Sequence, residues 1–218
     1  MNGIQAVIFD MDGLLLDTER IALAVFLETC EFFGIGDQTE VFMQCVGVNQ
    51  VLGDRILRQG LDGKVDYPAF SRRWEDRYRD RTLREPVPLK TGAKALLKEL
   101  AKQNMPLAVA TSTQTQRALE KLEKAEILDR FHAVIGGDQV EYSKPHPEIY
   151  RMAARTLGRV PEACLALEDS ENGVRSAVTA GMTVIQIPDL VQPSPELRSL
   201  GHTVLGSLRE VMEFVFGG

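Results

Sequence analysis

A chain of 218 residues with 44% hydrophobic and 26% charged residues has the balance of a folded globular protein and is long enough to bury a substantial core. Its formal net charge of −6 argues against a nucleic-acid partner held by a basic surface, and no apolar run approaches a membrane span. The three cysteines, Cys30, Cys45 and Cys164, are far apart and form no C-x-x-C pair, which predicts buried thiols in a reducing compartment.

The start MNGIQAVIFD carries no basic leader, so a cytoplasmic protein without membrane attachment is expected; nothing in the sequence signals an oligomeric state. The first apolar run, residues 6–9, reads as a buried strand, yet it ends in two carboxylates, Asp10 and Asp12, beside Gly13. Buried aspartates need compensating partners, most simply a metal ion. Taken alone, Asp12-Gly13 also reads as a plain turn.

From residue 18 to 87 no strand is predicted, only amphipathic helical runs such as 21–33 and 68–83. On the latter, Tyr67, Phe70, Trp74 and Tyr78 share one face. The arginines at 72, 73, 77, 79, 81 and 84 alternate with Glu75, Asp76, Asp80 and Glu85, which reads as a solvated face. This interval is expected to be an inserted helical bundle, residues 18–87, on a core made of 1–17 and 88–218. Residues 84–92, with Pro86 and Pro88, form the return linker.

Beyond the linker, helical spacing at 92–103, 113–125, 147–157 and 173–180 alternates with apolar runs at 107–110, 133–135, 165–167 and 184–187. That alternation predicts an α/β fold, a doubly wound, Rossmann-like parallel sheet. Ligands sit at the carboxyl ends of such strands. The second strand delivers Thr111, Ser112 and Thr113 there, and the fourth delivers Glu168 and Asp169, while the loop EYSKPHPEIY supplies Lys144. Carboxylates suit Mg²⁺, and a hydroxyl, backbone N–H groups and an ammonium suit a phosphoryl group, so the set is suited to metal-assisted phosphoryl transfer. Thr111, Ser112 and Ser170 also read as helix caps. His132, His146 and His202 show no metal-ligand spacing.

In DMDG, Thr111, Lys144 of SKPHPEIY, and EDS at 168–170, taken in that order, the chain resembles the haloacid dehalogenase superfamily, in particular its magnesium-dependent phosphatases and phosphomutases with an inserted helical cap. The resemblance implies that Asp10 is a nucleophile forming an aspartyl-phosphate and that Asp12 is the general acid and base. It further implies Mg²⁺ on Asp10, the Asp12 carbonyl and Asp169, with Glu168 in a more distant contact, and a phosphate clamp of Thr111, Ser112 and Lys144. The β-phosphoglucomutase members carry a cap histidine soon after the first motif and a cap arginine. Here DTERIALAV has no histidine, and Asn49 and Gln50 stand where the arginine is expected. Hydrolysis of a small phosphomonoester, a sugar phosphate or similar metabolite selected by residues near 46–50 and 72–81, is therefore expected. The alternatives are a phosphomutase and a catalytically silent binding module.

Overall fold

The computed structural model describes residues 3–48 and 50–216. Its centre is a six-stranded, wholly parallel sheet in the order β3-β2-β1-β4-β5-β6. The strands are β1 (Ala6–Phe9), β2 (Leu107–Ala110), β3 (Ala133–Ile135), β4 (Cys164–Glu168), β5 (Thr183–Gln186) and β6 (Thr203–Val204). Strand order reverses between β1 and β4, the place where an open α/β sheet leaves a crevice at its carboxyl edge.

Alternation along the strands sorts the two faces. Val7, Phe9, Leu107, Val109, Leu165 and Leu167 pack on one side with helices α5 (Ala93–Lys102), α6 (Thr115–Lys124) and α10 (Leu208–Phe216). Ala6, Ile8, Ala108, Ala110, Cys164 and Ala166 face the other side, against α7 (Glu148–Thr156) and α8 (Glu171–Ala180). Most of the side chains on this second face are small, so Ala153, Ala154 and Ala177 bring the helix backbones close to the sheet. Burying a large apolar side chain such as Phe9 contributes roughly 1.5–3 kcal/mol.

Between β1 and α5 the described residues form four helices, α1 (Thr18–Phe32), α2 (Thr39–Met43), α3 (Gln50–Gly60) and α4 (Tyr67–Arg84). They enclose a separate apolar cluster of Phe26, Cys30, Phe42, Leu57, Leu61, Tyr67 and Phe70. Phe26 stacks edge-on against Phe70 and Trp74. The arginines of α4 lie on its solvated side, where Arg77 and Arg81 pair with Glu28 of α1. The chain leaves and re-enters the sheet layer through adjacent backbone. The Asp17 N–H donates to the Pro88 carbonyl, and the Lys90 N–H donates to the Leu15 carbonyl. Beside this crossing the buried Asp189 carboxylate accepts from Arg20 and Lys90.

Strands one to five and helices α5 to α8 lie within a residue or two of expectation, while α1 starts at Thr18, three residues before the run expected from 21. Sequence reasoning missed the C-terminal elements α9 (Pro195–Arg198), β6 and α10, of which β6 is two residues long and is defined by its pairing to β5. Thr111 and Ser112 do not cap α6; Asp138 accepts from both the N–H and the hydroxyl of Thr115 in its first turn. Ser170 does cap α8, accepting from the Gly173 N–H. Cys30 and Cys164 are buried thiols as expected, but Cys45 is only half-buried because it follows α2 at the wall of a cavity. The histidines are structural: His132 Nδ1 accepts from the Leu107 N–H, and His202 pairs with Gln186. Among the described residues no helix is long and apolar enough to cross a membrane.

Candidate active site

The Asp10 N–H donates to the Leu167 carbonyl, so the β1–β4 ladder runs on to the sheet edge and places Asp10 next to Glu168 and Asp169. Carboxylate oxygens of these three residues lie within 4.8 Å of one another. One cation is threaded among them. The Lys144 amine donates to Asp10 Oδ1 at 2.5 Å, Glu168 Oε1 at 2.6 Å and the Ala110 carbonyl at 2.9 Å. Burial opposes its charge, but Asp10 and Glu168 hold it above the usual lysine range.

Glu168 is fully buried and saturated. Beyond Lys144, the Tyr150 hydroxyl donates to its Oε1, and the N–H groups of Asp169 and Ser170 with the Ser170 hydroxyl donate to Oε2. It therefore anchors Lys144 and the turn leading into α8. With one ammonium for three carboxylates, the pocket carries excess negative charge. Burial chiefly, then Glu168 and Asp12, pushes Asp10 up to about 8 despite Lys144, and burial with Asp10 raises Asp169 well above the carboxylate range.

Asp12, two residues on, has different neighbours. Its Oδ1 accepts from the Lys121 amine at 2.8 Å and its Oδ2 from the Thr113 hydroxyl at 2.7 Å; Thr111 is more distant at 3.5 Å. Burial alone would raise it, but Lys121, Thr113 and Thr18 together hold it below the usual range. Gly13 lets the loop pass so close: its φ is +85°, and a Cβ there would overlap the Asp169 carboxylate. Two carboxylates on one loop are thus set in different surroundings, Asp10 amid Lys144, Glu168 and Asp169 and Asp12 between Lys121 and Thr113.

Residues 7–187 match the family of haloacid dehalogenase-like hydrolases. The chain belongs to this family. It is 34% identical to a phosphorylated carbohydrates phosphatase of Thermotoga maritima over 82% of each chain. It is 32% identical to (DL)-glycerol-3-phosphatase 2 of Arabidopsis thaliana, over 86% of this chain and 80% of that one. Among solved structures, a haloacid dehalogenase family hydrolase from Deinococcus radiodurans with bound phosphate and sodium superposes with a TM-score of 0.83, at 29% identity, over 99% of this chain and 96% of that one.

In this hydrolase a cavity of about 560 Å³ opens above the carboxylates. Asp10, Asp12, Thr111, Ser112, Lys144 and Asp169 all border it, so the structure brings together the residues singled out at the strand ends. The helical insertion closes its far side with the turn at Cys45–Val48 and with Tyr78 of α4, and Asn172 donates to the Gly47 carbonyl across the gap. Asn49 lies outside the described residues, as does the side chain of Gln50, whose backbone begins α3. Sequence reasoning missed Thr113, Lys121 and Glu19 as neighbours of Asp12. Lys121 sits in RALEKLEK, where five of eight residues are charged and nothing distinguishes an inward lysine.

Glu19 faces Asp12 and Asp189, and burial chiefly, then those two charges, pushes its carboxyl up to about 7 from 4.5. A raised carboxyl binds its proton more tightly folded than unfolded, so its stabilising contribution is complete below about 4.5 and is lost as the pH rises through about 7. In excess chelator the Tm is accordingly expected to fall as the pH rises over this window. Glu19→Gln should flatten part of that slope, leaving the part due to Asp10; an unchanged slope in thermal melts would count against the burial of a charged Glu19.

Proposed function

We propose that this hydrolase is a Mg²⁺-dependent phosphatase acting on a small phosphomonoester, a sugar phosphate or similar metabolite, through an aspartyl-phosphate on Asp10. The observation that carries the reading is the separation of surroundings between Asp10, amid Lys144, Glu168 and Asp169, and Asp12, oriented by Lys121 and Thr113. Its relatives named as phosphatases of phosphorylated carbohydrates and of glycerol 3-phosphate support the substrate class.

The donor set fits a divalent cation. Asp10 and Asp169 crowd into one buried site with their protonation raised for want of positive charge, and hard carboxylate oxygens are the ligands Mg²⁺ takes. Asp10, the Asp12 carbonyl and Asp169 would hold it. Glu168, already engaged by five donors, would act from behind. The bound ion would offset charge on the transferring phosphoryl group.

In the first half-reaction an Asp10 carboxylate oxygen forms a bond to phosphorus as the ester P–O bond breaks, and Asp12, carrying a proton in the substrate complex, gives that proton to the departing alkoxide. In the second, Asp12 takes a proton from the water that attacks the aspartyl-phosphate, releasing inorganic phosphate and restoring Asp10. Thr111 and the Ser112 N–H would grip the equatorial oxygens throughout, with the Lys144 ammonium, held between Asp10 and Glu168, supplying positive charge beside them. Residues 18–87 act as a cap over the core formed by 1–17 and 88–218, excluding water and selecting the alcohol. The three free thiols suit a reducing, cytoplasmic compartment.

The test is phosphate release from a metabolite panel with Mg²⁺, with and without excess chelator; full activity in chelator overturns the metal assignment. The cavity above the carboxylates adjoins a second one, with Cys45, Val48, Tyr78 and Thr113 on both, where Arg79 and Arg117 stand, so a direct assay separates hydrolysis from rearrangement. Supplied with β-glucose 1-phosphate and a trace of glucose 1,6-bisphosphate, the protein should release phosphate. Glucose 6-phosphate appearing faster than phosphate would establish the mutase instead.

A further inference from the structure

Lys121 belongs to no motif, yet its amine is buried within the site. It projects from α6, beside the buried Ala118 and Leu122, and is 2.8 Å from Asp12 Oδ1. Its other side is covered by the helical insertion, since the Tyr78 ring of α4 lies 5.6 Å from the amine. Placing an ammonium where it loses water is costly unless a carboxylate repays it, so the pair holds both members in place. Thr113 fixes the second oxygen of Asp12 from the β2 loop, and the two donors together determine where that carboxylate points.

We infer that Lys121 is a positioning residue for proton transfer: it aims Asp12 at the leaving-group oxygen and couples that aim to the helical insertion through Tyr78. The inference rests on the phosphatase reading above. Lys144 cannot substitute, because its amine is committed to Asp10, Glu168 and the Ala110 carbonyl. Lys121 touches neither phosphorus nor the departing oxygen; its effect passes through Asp12 alone. Removing it should therefore injure the chemical step in which the alcohol needs a proton and leave substrate affinity nearly untouched.

The experiment compares kcat/KM for phenyl phosphate and p-nitrophenyl phosphate, with Mg²⁺, in wild type, K121M, K121R, D12A and D12A/K121M. The two esters have nearly the same shape, but the phenoxide leaves less readily and depends more on protonation. K121M is expected to lower kcat/KM for phenyl phosphate about 10²-fold, at the lower end of general-acid effects, and to affect the nitrophenyl ester much less, with KM little changed. K121R should recover most of the loss, and adding K121M to D12A should cost nothing further.

The ratio between the two esters does not depend on the fraction of protein folded, so a purely structural lysine would lower both equally. Equal losses, or a full additional loss in the D12A background, would overturn the inference. If D12A itself loses both substrates equally, it is the assignment of Asp12 that fails, which separates the two outcomes. Should K121M not fold, K121A gives the same reading, since it also removes the donor and the charge.

Discussion

Asp10→Asn is expected to abolish phosphate release while leaving the protein folded. The change is nearly isosteric, and the site tolerates the loss of charge because burial and two neighbouring carboxylates already push Asp10 up to about 8. An amide oxygen can still accept from Lys144, so the buried ammonium keeps a partner, and the melting temperature in chelator should be unchanged or higher. Turnover should drop below about a hundredth of wild type, since an amide supplies neither the nucleophilic oxygen nor the metal charge. A variant that folds and keeps more than that fraction of its rate, measured by phosphate release after removal of any wild-type contaminant, would rule out Asp10 as the nucleophile.

The second large effect concerns a residue that touches no substrate. Gly173 lies in the first turn of α8, and a Cβ at that position would fall within the Glu168 carboxylate. Glu168 has nowhere to go: it is fully buried and its oxygens are engaged by Lys144, Tyr150, the N–H groups of Asp169 and Ser170, and the Ser170 hydroxyl. Gly173→Ala must displace either the helix or the carboxylate that neutralises Lys144. The expected loss is on the order of 3–5 kcal/mol, as for breaking a buried ion pair, together with most of the activity. Gly53→Ala is the control. That glycine is also helical, in α3, but a methyl group there would meet its nearest non-local atom at 3.5 Å, an ordinary contact, so the variant should be neutral or about 1 kcal/mol more stable. Similar denaturant midpoints for the two variants would show that α8 shifts without cost.

Both experiments probe one arrangement from opposite sides. In the proposed mechanism Asp10 carries the chemistry, and Gly173 leaves the space that Glu168 occupies beside Lys144. The close fit explains why the carboxylates of β1 and β4 can share a buried site before any cation arrives: Lys144 neutralises part of their charge, and backbone N–H groups at the start of α8 hold Glu168.

How much of this was legible in the sequence depended on whether the signal was local. Strands such as Ala6–Phe9 and Leu107–Ala110 are continuous apolar runs because both sheet faces are covered, and that pattern survives in one dimension. Their polar endings, Asp10, Thr111 and Glu168, mark the sheet edge for the same reason: a core strand that stops at carboxylates or hydroxyls stops at a site. The order of those endings also carried the family resemblance, which the match over residues 7–187 bears out. Ser170 as the cap of α8 was readable because a cap acts over three residues.

What required the tertiary structure were partnerships between distant segments. Lys121 is 109 residues from Asp12, and only the placement of β2 beside β1 brings α6 over the loop that carries Asp12. In its own helix Lys121 is one charge among several, with no periodicity to announce that it points inward. Likewise β6 is a strand only because β5 lies next to it, and Cys45 borders the cavity only because the helical insertion folds back over the sheet edge. Apolar period and capping are short-range properties of the chain. The partner of a buried charge is chosen by the packing of whole elements, and the sequence records it only as a residue type.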